Sequence, residues 1–514
     1  MSTRTPWTIG GLGPDGVPRA AGPWWAERGL AGASARRWVP EAMPGDFEPD
    51  ESGPIAAAAR SDASGAPFAF LAAIVLAIIL FSAHFANSAL LARILVPIFG
   101  FLAVVAAARW LAAKHLDEPW LSKFLILAVV AKEIASVLRY RTLVNSYGDV
   151  GDASVFDKYG RQFAAFWLGH ANVYSHVDNL KKSNFLRWFT GVIYYLFGTD
   201  MITGFIVFGL IAFIGSYLWY RATVEAVPFL DKRLYFLLIM FAPSVLFWPS
   251  SIGKEALMQF AIGSAALGTA HLFNGKLMRG VLVALPGAWL MFTVRGHLLA
   301  LVALSAAVAY LVGRGPRATR VDVSSSLVKP IGMVLVAFIA VFAVGQGAKS
   351  LGLPSLTLGS VQAELDATTL STQQGHSSFN NGGNSLSPLH LPQGMATVLL
   401  RPFPWEAGSA LQSLASLEGI ALAGFMVIRR KSIAISLRHL RSVPFLFYCW
   451  TLTILYSVTF QAFANFGLLD RERSLVLPAL YVLLCLDSRK AREFDDEQRE
   501  RAALRAERLA RGGV

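Results

Sequence analysis

Two carboxylates three residues apart, Asp149 and Asp152, stand in the segment Gly148-Asp149-Val150-Gly151-Asp152-Ala153. Such a pair beside a bilayer is what a general base or a divalent-cation site needs. A plainer reading makes Asp152 the N-cap of the next helix and leaves Asp149 turning with its glycine neighbours. The run that follows, SVFDKYGRQFAAFWLG, gathers Val155, Phe156, Tyr159, Phe163 and Phe166, as a helix lying on a membrane surface requires.

Cations that suit phosphate recur further along. In Pro243-Ser-Val-Leu-Phe-Trp-Pro249-Ser-Ser-Ile-Gly-Lys254-Glu255, Pro249 interrupts any continuous helix, and Lys254 and Glu255 open the next one. Glu suits the positive end of a helix dipole and Lys does not, so Lys254 calls for a partner there. That partner is either Glu255 or a phosphate bound at the helix start. Arg295-Gly296-His297 marks another hairpin. The segment Arg401-Pro402-Phe403-Pro404-Trp405-Glu406 stiffens two aromatic faces, either as a platform for a sugar or isoprenoid or as an interfacial anchor. Arg471 and Arg473 begin the last apolar segment, and a guanidinium there can fork onto a phosphate or pair with Asp470 and Glu472. Within apolar segments, Lys132, Glu133 and Glu418 are ionisable groups in a costly environment. For Lys132 and Glu133 the expectation is structural pairing, with Arg139 and Arg141 completing a network; Glu418 has no evident partner.

These residues need elements to hold them, and the composition says which. The chain has 514 residues, 54% hydrophobic and only 15% charged, and a mean hydropathy of +0.50, which is the signature of a membrane protein. Its net charge of +13 belongs in cytoplasmic loops rather than on a nucleic-acid surface. Cys449 and Cys485 both lie in apolar runs, which excludes a disulfide framework and Cys-based zinc or cluster sites. There is no Walker A, Rossmann or HExxH pattern, which argues against ATP hydrolysis and zinc-dependent proteolysis.

The pattern predicts an all-α polytopic fold with about 12 transmembrane helices and extracytoplasmic loops that carry interfacial helices. The spans fall near 68–86, 89–112, 121–140, 200–220, 234–250, 252–273, 280–294, 297–313, 329–346, 408–428, 443–464 and 473–487. Residues 184–198 read as an interfacial helix. Residues 1–66 form a disordered cytoplasmic tail, 67–487 the membrane domain with external loops 141–199 and 347–407, and 488–514 a charged cytoplasmic helix. With both termini inside, the loops 221–233, 274–280, 314–329 and 429–442 hold 14 Lys or Arg in 50 residues, against 6 in 81 for the outward stretches 250–255, 294–297, 347–407 and 464–473. The positive-inside rule selects that orientation and sends the chemistry-bearing residues outward. The loop 141–183 is the exception, with five Lys or Arg of its own. Alanine, arginine and glycine are abundant, as in GC-rich bacterial genomes, so the expected location is a bacterial plasma (inner) membrane.

Five segments, in this order and on this one face, resemble the C-type (GT-C) integral-membrane glycosyltransferases and the related bacterial exopolysaccharide or O-antigen polymerase-like membrane proteins. They are GDASVFDKYG (151–160), NFLRWFTGVIYYLFG (184–198), PSVLFWPSSIGKE (243–255), RPFPWE (401–406) and NFGLLDRERSLVLP (465–478). The resemblance implies a transferase that takes a sugar or oligosaccharide from a polyprenyl phosphate or pyrophosphate carrier and passes it to a glycan or lipid-linked acceptor. It also implies a catalytic acid in the first large external loop, matched here by Asp152 with Asp149 as second candidate. The adjacent acidic pair common in such enzymes is absent, which weakens the case for a metal; no metal ligands are assigned, and a divalent cation stays open only through the Asp149–Asp152 pair. The chemistry then assigns Asp152 as base and Lys254, Arg401, Arg471 and Arg473 as phosphate holders. Trp405 and Tyr159 become sugar platforms. Glu255, Arg295, His297 and Glu406 complete the substrate-binding set, with His376 and His390 as further proton carriers. Membrane lipid is the remaining partner, and nucleic acid is not one. The competing readings are a transporter or flippase of lipid-linked oligosaccharides, which would use Lys132, Glu133 and Glu418 as a polar pathway, and a non-catalytic assembly subunit for envelope synthesis.

Overall fold

A computed structural model of the chain describes residues 98–103, 106, 118–170, 179–313, 341–349, 352, 355, 357–373, 377–380 and 387–511. The tail expected at 1–66, the span at 68–86 and most of those at 89–112 and 329–346 lie outside the described residues, as does His376.

The described residues build an all-helical fold whose pairing beyond helices is two isolated antiparallel bridges, Leu230 with Leu486 and Ser378 with Asn465. Helix α1 (Pro119–Tyr147) starts on a proline and ends at Gly148, whose φ of 59° closes the C-cap. Two helices follow, α2 (Asp152–Trp167) and α3 (Ser183–Phe197), and they pack on each other. Gly160 and Gly191 make that contact close. A Cβ on Gly160 would lie 2.6 Å from Thr190 Cγ2, and one on Gly191 2.5 Å from Phe163 Cβ.

Next come α4 (Met201–Ala226), α5 (Lys232–Phe241), α6 (Pro243–Phe247), α7 (Lys254–Phe273), α8 (Leu277–Val294) and α9 (Gly296–Val312). The expected span 234–250 is thus two helices. The break falls at Ala242 (ψ 131°), because the residue before Pro243 is pushed out of the helical region. After α10 (Leu358–Thr372) the chain forms α11 (Leu391–Leu400), α12 (Ala410–Ile428), α13 (Arg430–Arg438), α14 (Pro444–Phe460), α15 (Phe466–Leu484) and α16 (Ser488–Arg511).

Among the described residues four helices are long and apolar enough to cross a membrane: α4, α7, α8 and α12. Three shorter apolar helices, α9, α11 and α14, accompany them. Helix α15 begins seven residues before its expected start at 473 and carries Asp470, Glu472 and Arg473 buried inside the protein. Its charges find internal partners, so a hydropathy pattern misplaces its start.

The core is α7 packed between α4 and α8. A Cβ on Gly263 would meet the Gly215 carbonyl oxygen at 2.2 Å, and one on Gly287 would meet that of Ala261 at 2.2 Å. Glycine therefore lets three backbones touch, the usual way apolar helices gain packing when lipid offers no hydrophobic drive. The opposite faces of α8 (Leu277, Met278, Leu282, Leu285, Trp289) and α12 (Leu417, Ile420, Val427, Ile428) are exposed and apolar, as lipid-facing surfaces should be.

Candidate functional site

Many of the charged residues singled out in the sequence gather where α1 ends, α2, α7 and α9 begin, and α15 enters the bundle. Asp152 is the first residue of α2. Gly151 is the N-cap, and no side-chain capping bond forms. The N-cap role expected for Asp152 is therefore absent, and its carboxylate is free to point outward, 71% exposed. Arg471, from α15, approaches it with Nη1 3.9 Å from Asp152 Oδ2. Asp149 sits in the turn before α2 with a φ of 60°, and its Oδ1 accepts a hydrogen bond from Ser154 Oγ at 2.8 Å. It steadies the start of α2 as the turn reading expects.

Lys254 and Glu255 open α7, and Glu255 does not turn to its neighbour. Its Oε1 takes Arg295 Nη2 at 3.0 Å, while Arg295 Nη1 reaches Glu472 Oε1 at 2.6 Å. Tyr456 donates its hydroxyl to Glu472 Oε2 at 2.8 Å. This chain ties α7, α9 and α15 to α14. Burial disfavours the Arg295 charge, but Glu472 and Glu255 outweigh that and raise its pKa, so the guanidinium stays protonated. His297, the second residue of α9, packs against the Phe460 ring at 5.8 Å.

Arg473 is 1% exposed, and both its terminal nitrogens are engaged inside while its Nε is buried without a hydrogen-bond partner. Its Nη2 lies 3.1 Å from Asp470 Oδ1, 3.4 Å from Glu418 Oε2 and 3.2 Å from Ser244 Oγ, and its Nη1 donates to the Arg401 carbonyl at 3.1 Å. Glu418 in turn accepts the Ser244 backbone N–H at 3.0 Å and the Ser244 hydroxyl. The partner missing from the sequence reading of Glu418 is thus Arg473, from a helix 55 residues away. The Arg401 guanidinium pairs with Glu406 at 3.0 Å and lies over Phe379 at 4.7 Å. Glu406 also accepts the Phe403 N–H at 2.9 Å.

Trp405 stacks on Phe403 with ring centroids 5.1 Å apart and is 81% exposed. Tyr159 stands apart from the Asp152–Arg471 pair, under the Arg187 guanidinium at 4.2 Å. His390 is exposed and caps α11. Part of the polar stretch between 347 and 407 docks on the turn before α15: Phe379 N–H donates to the Ala464 carbonyl at 3.0 Å, and Phe466 N–H to that of Ser377 at 2.9 Å.

Of the residues singled out in the sequence, the structure therefore brings Asp152 and Arg471 together and links Glu255, Arg295 and Glu472, with Lys254 beside both groups. Arg473 and Arg401 are committed to internal carboxylates. Lys132 donates to the carbonyls of Val245 at 3.3 Å and Leu246 at 3.0 Å, not to Glu133. It holds the C-terminal end of α6, where a cation suits the dipole.

One cation in this region escaped the sequence reading as a site residue. Arg139 lies over the rings of Trp248 at 4.8 Å and Phe247 at 5.3 Å, and Arg471 shares the Trp248 ring at 5.5 Å. An arginine two turns before the end of a charged apolar helix, followed by an aromatic pair at 247–248, was the available signal. Among the described residues no three of His, Cys, Asp and Glu gather to hold a metal ion. The arrangement can accept a proton on an exposed carboxylate and can neutralise negative charge with Arg471 and Lys254 next to it. No protein-family model, curated protein or solved structure matches the chain.

Proposed function

We propose that this protein is a membrane glycosyltransferase or polysaccharide polymerase. It moves a sugar or oligosaccharide from a polyprenyl phosphate or pyrophosphate carrier to an envelope glycan acceptor on the extracytoplasmic face of a bacterial inner membrane. The bundle behind this reading has about twelve spans and both termini in the cytoplasm. The observation that carries it is the exposed Asp152 carboxylate standing 3.9 Å from Arg471, with the Lys254 ammonium close enough to interact with it.

In this reaction the acceptor hydroxyl oxygen attacks the anomeric carbon of the donor. The bond from that carbon to the phosphate oxygen breaks, and the carrier phosphate leaves with the electron pair. Asp152 takes the hydroxyl proton, and Arg471 and Lys254 meet the charge that grows on the departing oxygen. A lipid donor favours such a position, because its chain stays in hydrocarbon while its head group reaches the loop. The transporter reading draws on Lys132, Glu133 and Glu418, but Lys132 and Glu418 have structural partners that occupy them.

The test is mass spectrometry of lipid-linked sugars in cells lacking the protein, rescued with the native chain or with Asp152→Asn. The reading expects an outer-leaflet polyprenyl-linked sugar that only the native chain clears. Clearance by both chains removes the catalytic role of Asp152, and accumulation on the inner leaflet puts transport in its place.

A further inference from the structure

Arg139 is 6% exposed, yet its Nε and Nη1 are buried with no hydrogen-bond partner. The Nε of Arg471 is in the same condition. The two guanidinium groups come from α1 and α15 and share the ring of Trp248, at 4.8 and 5.5 Å from its centroid. Aromatic faces attract both cations. They satisfy neither the N–H groups nor the repulsion between two like charges, and a buried donor without a partner is a standing cost.

The nearby carboxylates do not cancel this charge. Glu255 is taken by Arg295, Asp470 by Arg473, and Asp152 faces solvent at 3.9 Å from Arg471. Buried unsatisfied donors on two guanidinium groups want acceptor oxygens that carry more than one negative charge.

We infer that Arg139 and Arg471, joined across Trp248, form a subsite for a multiply charged anion of the phosphate or pyrophosphate class. The inference rests on the proposed transferase reading for the ligand's role, and on the unsatisfied donors alone for its chemistry. The anion is either a free phosphate species or the head group of a lipid.

Purified full-length protein in detergent is titrated with inorganic pyrophosphate, and separately with a polyprenyl pyrophosphate in the same micelles, for the native chain, Arg139→Gln and Arg139→Lys. Melting temperature and calorimetric affinity are read. Arg139→Gln should melt higher than the native chain without ligand, because it removes an unsatisfied buried charge. It should also bind pyrophosphate at least about tenfold more weakly, the loss of one charge-assisted bond. Arg139→Lys should recover part of the affinity. A response to both probes assigns the subsite to the anion itself, and a response to the lipid alone assigns it to a head group. Native-like affinity in Arg139→Gln, no response to either probe, or a lower ligand-free melting temperature in Arg139→Gln with unchanged binding overturns the subsite. Glycosidic-bond formation measured on the same samples separates the two ideas. Arg139-dependent anion binding without bond formation sinks the transferase reading alone, and bond formation at the native rate in Arg139→Gln sinks the subsite alone.

Discussion

Arg471 Nη1 and Asp152 Oδ2 stand 3.9 Å apart, one from the start of α15 and the other from the first residue of α2. The distance is long for a salt bridge and Asp152 is mostly exposed, so the pair adds little to stability. What it does is hold an exposed carboxylate and a cation side by side. Two groups that gain so little from each other are available to a third.

Asp152→Asn should therefore separate activity from folding. The amide keeps the shape and loses the base, so glycosidic-bond formation by purified protein should fall by about 10²- to 10⁴-fold. The melting temperature should stay within about a degree of the native value, as expected for a substitution at an exposed and weakly paired position. Equal activity of the two chains in a transfer assay would exclude Asp152 as the base.

Arg295 holds two buried carboxylates, Glu255 and Glu472, at once. Replacing it with Met leaves both charges buried without their cation, which should cost about 3–5 kcal/mol. The triple change Glu255→Gln, Arg295→Met, Glu472→Gln removes the stranded charges together and should recover much of that loss. Thermal melts of the single and triple variants in one detergent check this. A single Arg295→Met as stable as the native chain would show that the chain of ion pairs is idle.

The contact of α4 with α7 runs through glycine. A Cβ at Gly263 would fall 2.2 Å from the Gly215 carbonyl oxygen, and one at Gly215 would fall 2.4 Å from that of Gln259. Backbone cannot retreat as a flexible side chain can, so Gly263→Ala should cost about 1–3 kcal/mol and Gly263→Leu more. Gly275, in the turn after α7, has open space around its Cβ direction but a φ of 77°. Gly275→Ala should thus act through backbone strain alone and cost about 1–2 kcal/mol. Melting temperatures should rank Gly275→Ala above Gly263→Leu, and the reverse order would contradict the close packing.

Much of this architecture was legible in the sequence where one physical rule acts alone. Apolar runs gave α7, α8 and α12 to within three residues and the start of α4, which runs six residues past its expected end, because length and hydropathy mark a long apolar helix. That 184–198 and the stretch from 488 form helices was equally plain from their patterns. Where tertiary partners override the local rule, the reading slipped. Pro249 lies in a break between helices as expected, but Pro243 adds a second break that the reading passed over, and α15 starts early because its Asp-Arg-Glu-Arg run finds partners inside the protein. The site followed the same division. That Asp152 would open a helix was readable from GDAS, and Glu406 and Asp470 stand near Arg401 and Arg473 in the sequence, whereas Glu418 reaches Arg473 only through folding. Arg139 was hidden for the same reason, since its aromatic partners lie more than a hundred positions away.

The C-terminal helix α16 offers a last check, on how a charged helix is held to an apolar bundle. Only its first turns dock. Ala491 is buried, the Phe494 ring lies 5.5 Å from that of Phe229, and Asp495 accepts His439 Nε2 at 3.0 Å and Arg438 Nη2 at 2.9 Å. His439 Nδ1 also faces the Ile435 carbonyl at 2.9 Å, so both ring nitrogens point at acceptors. From Glu497 through Leu504 the side chains are exposed. Phe494→Ala and Asp495→Asn should each free α16 while leaving the bundle intact, because no residue of the outward cluster touches it. Limited trypsin digestion should then cut at Arg499 or Arg501 about tenfold faster than in the native chain, with an unchanged melting temperature for the remainder. Native-like cleavage in the double variant would mean that contacts other than this aromatic and ionic clasp hold the helix in place.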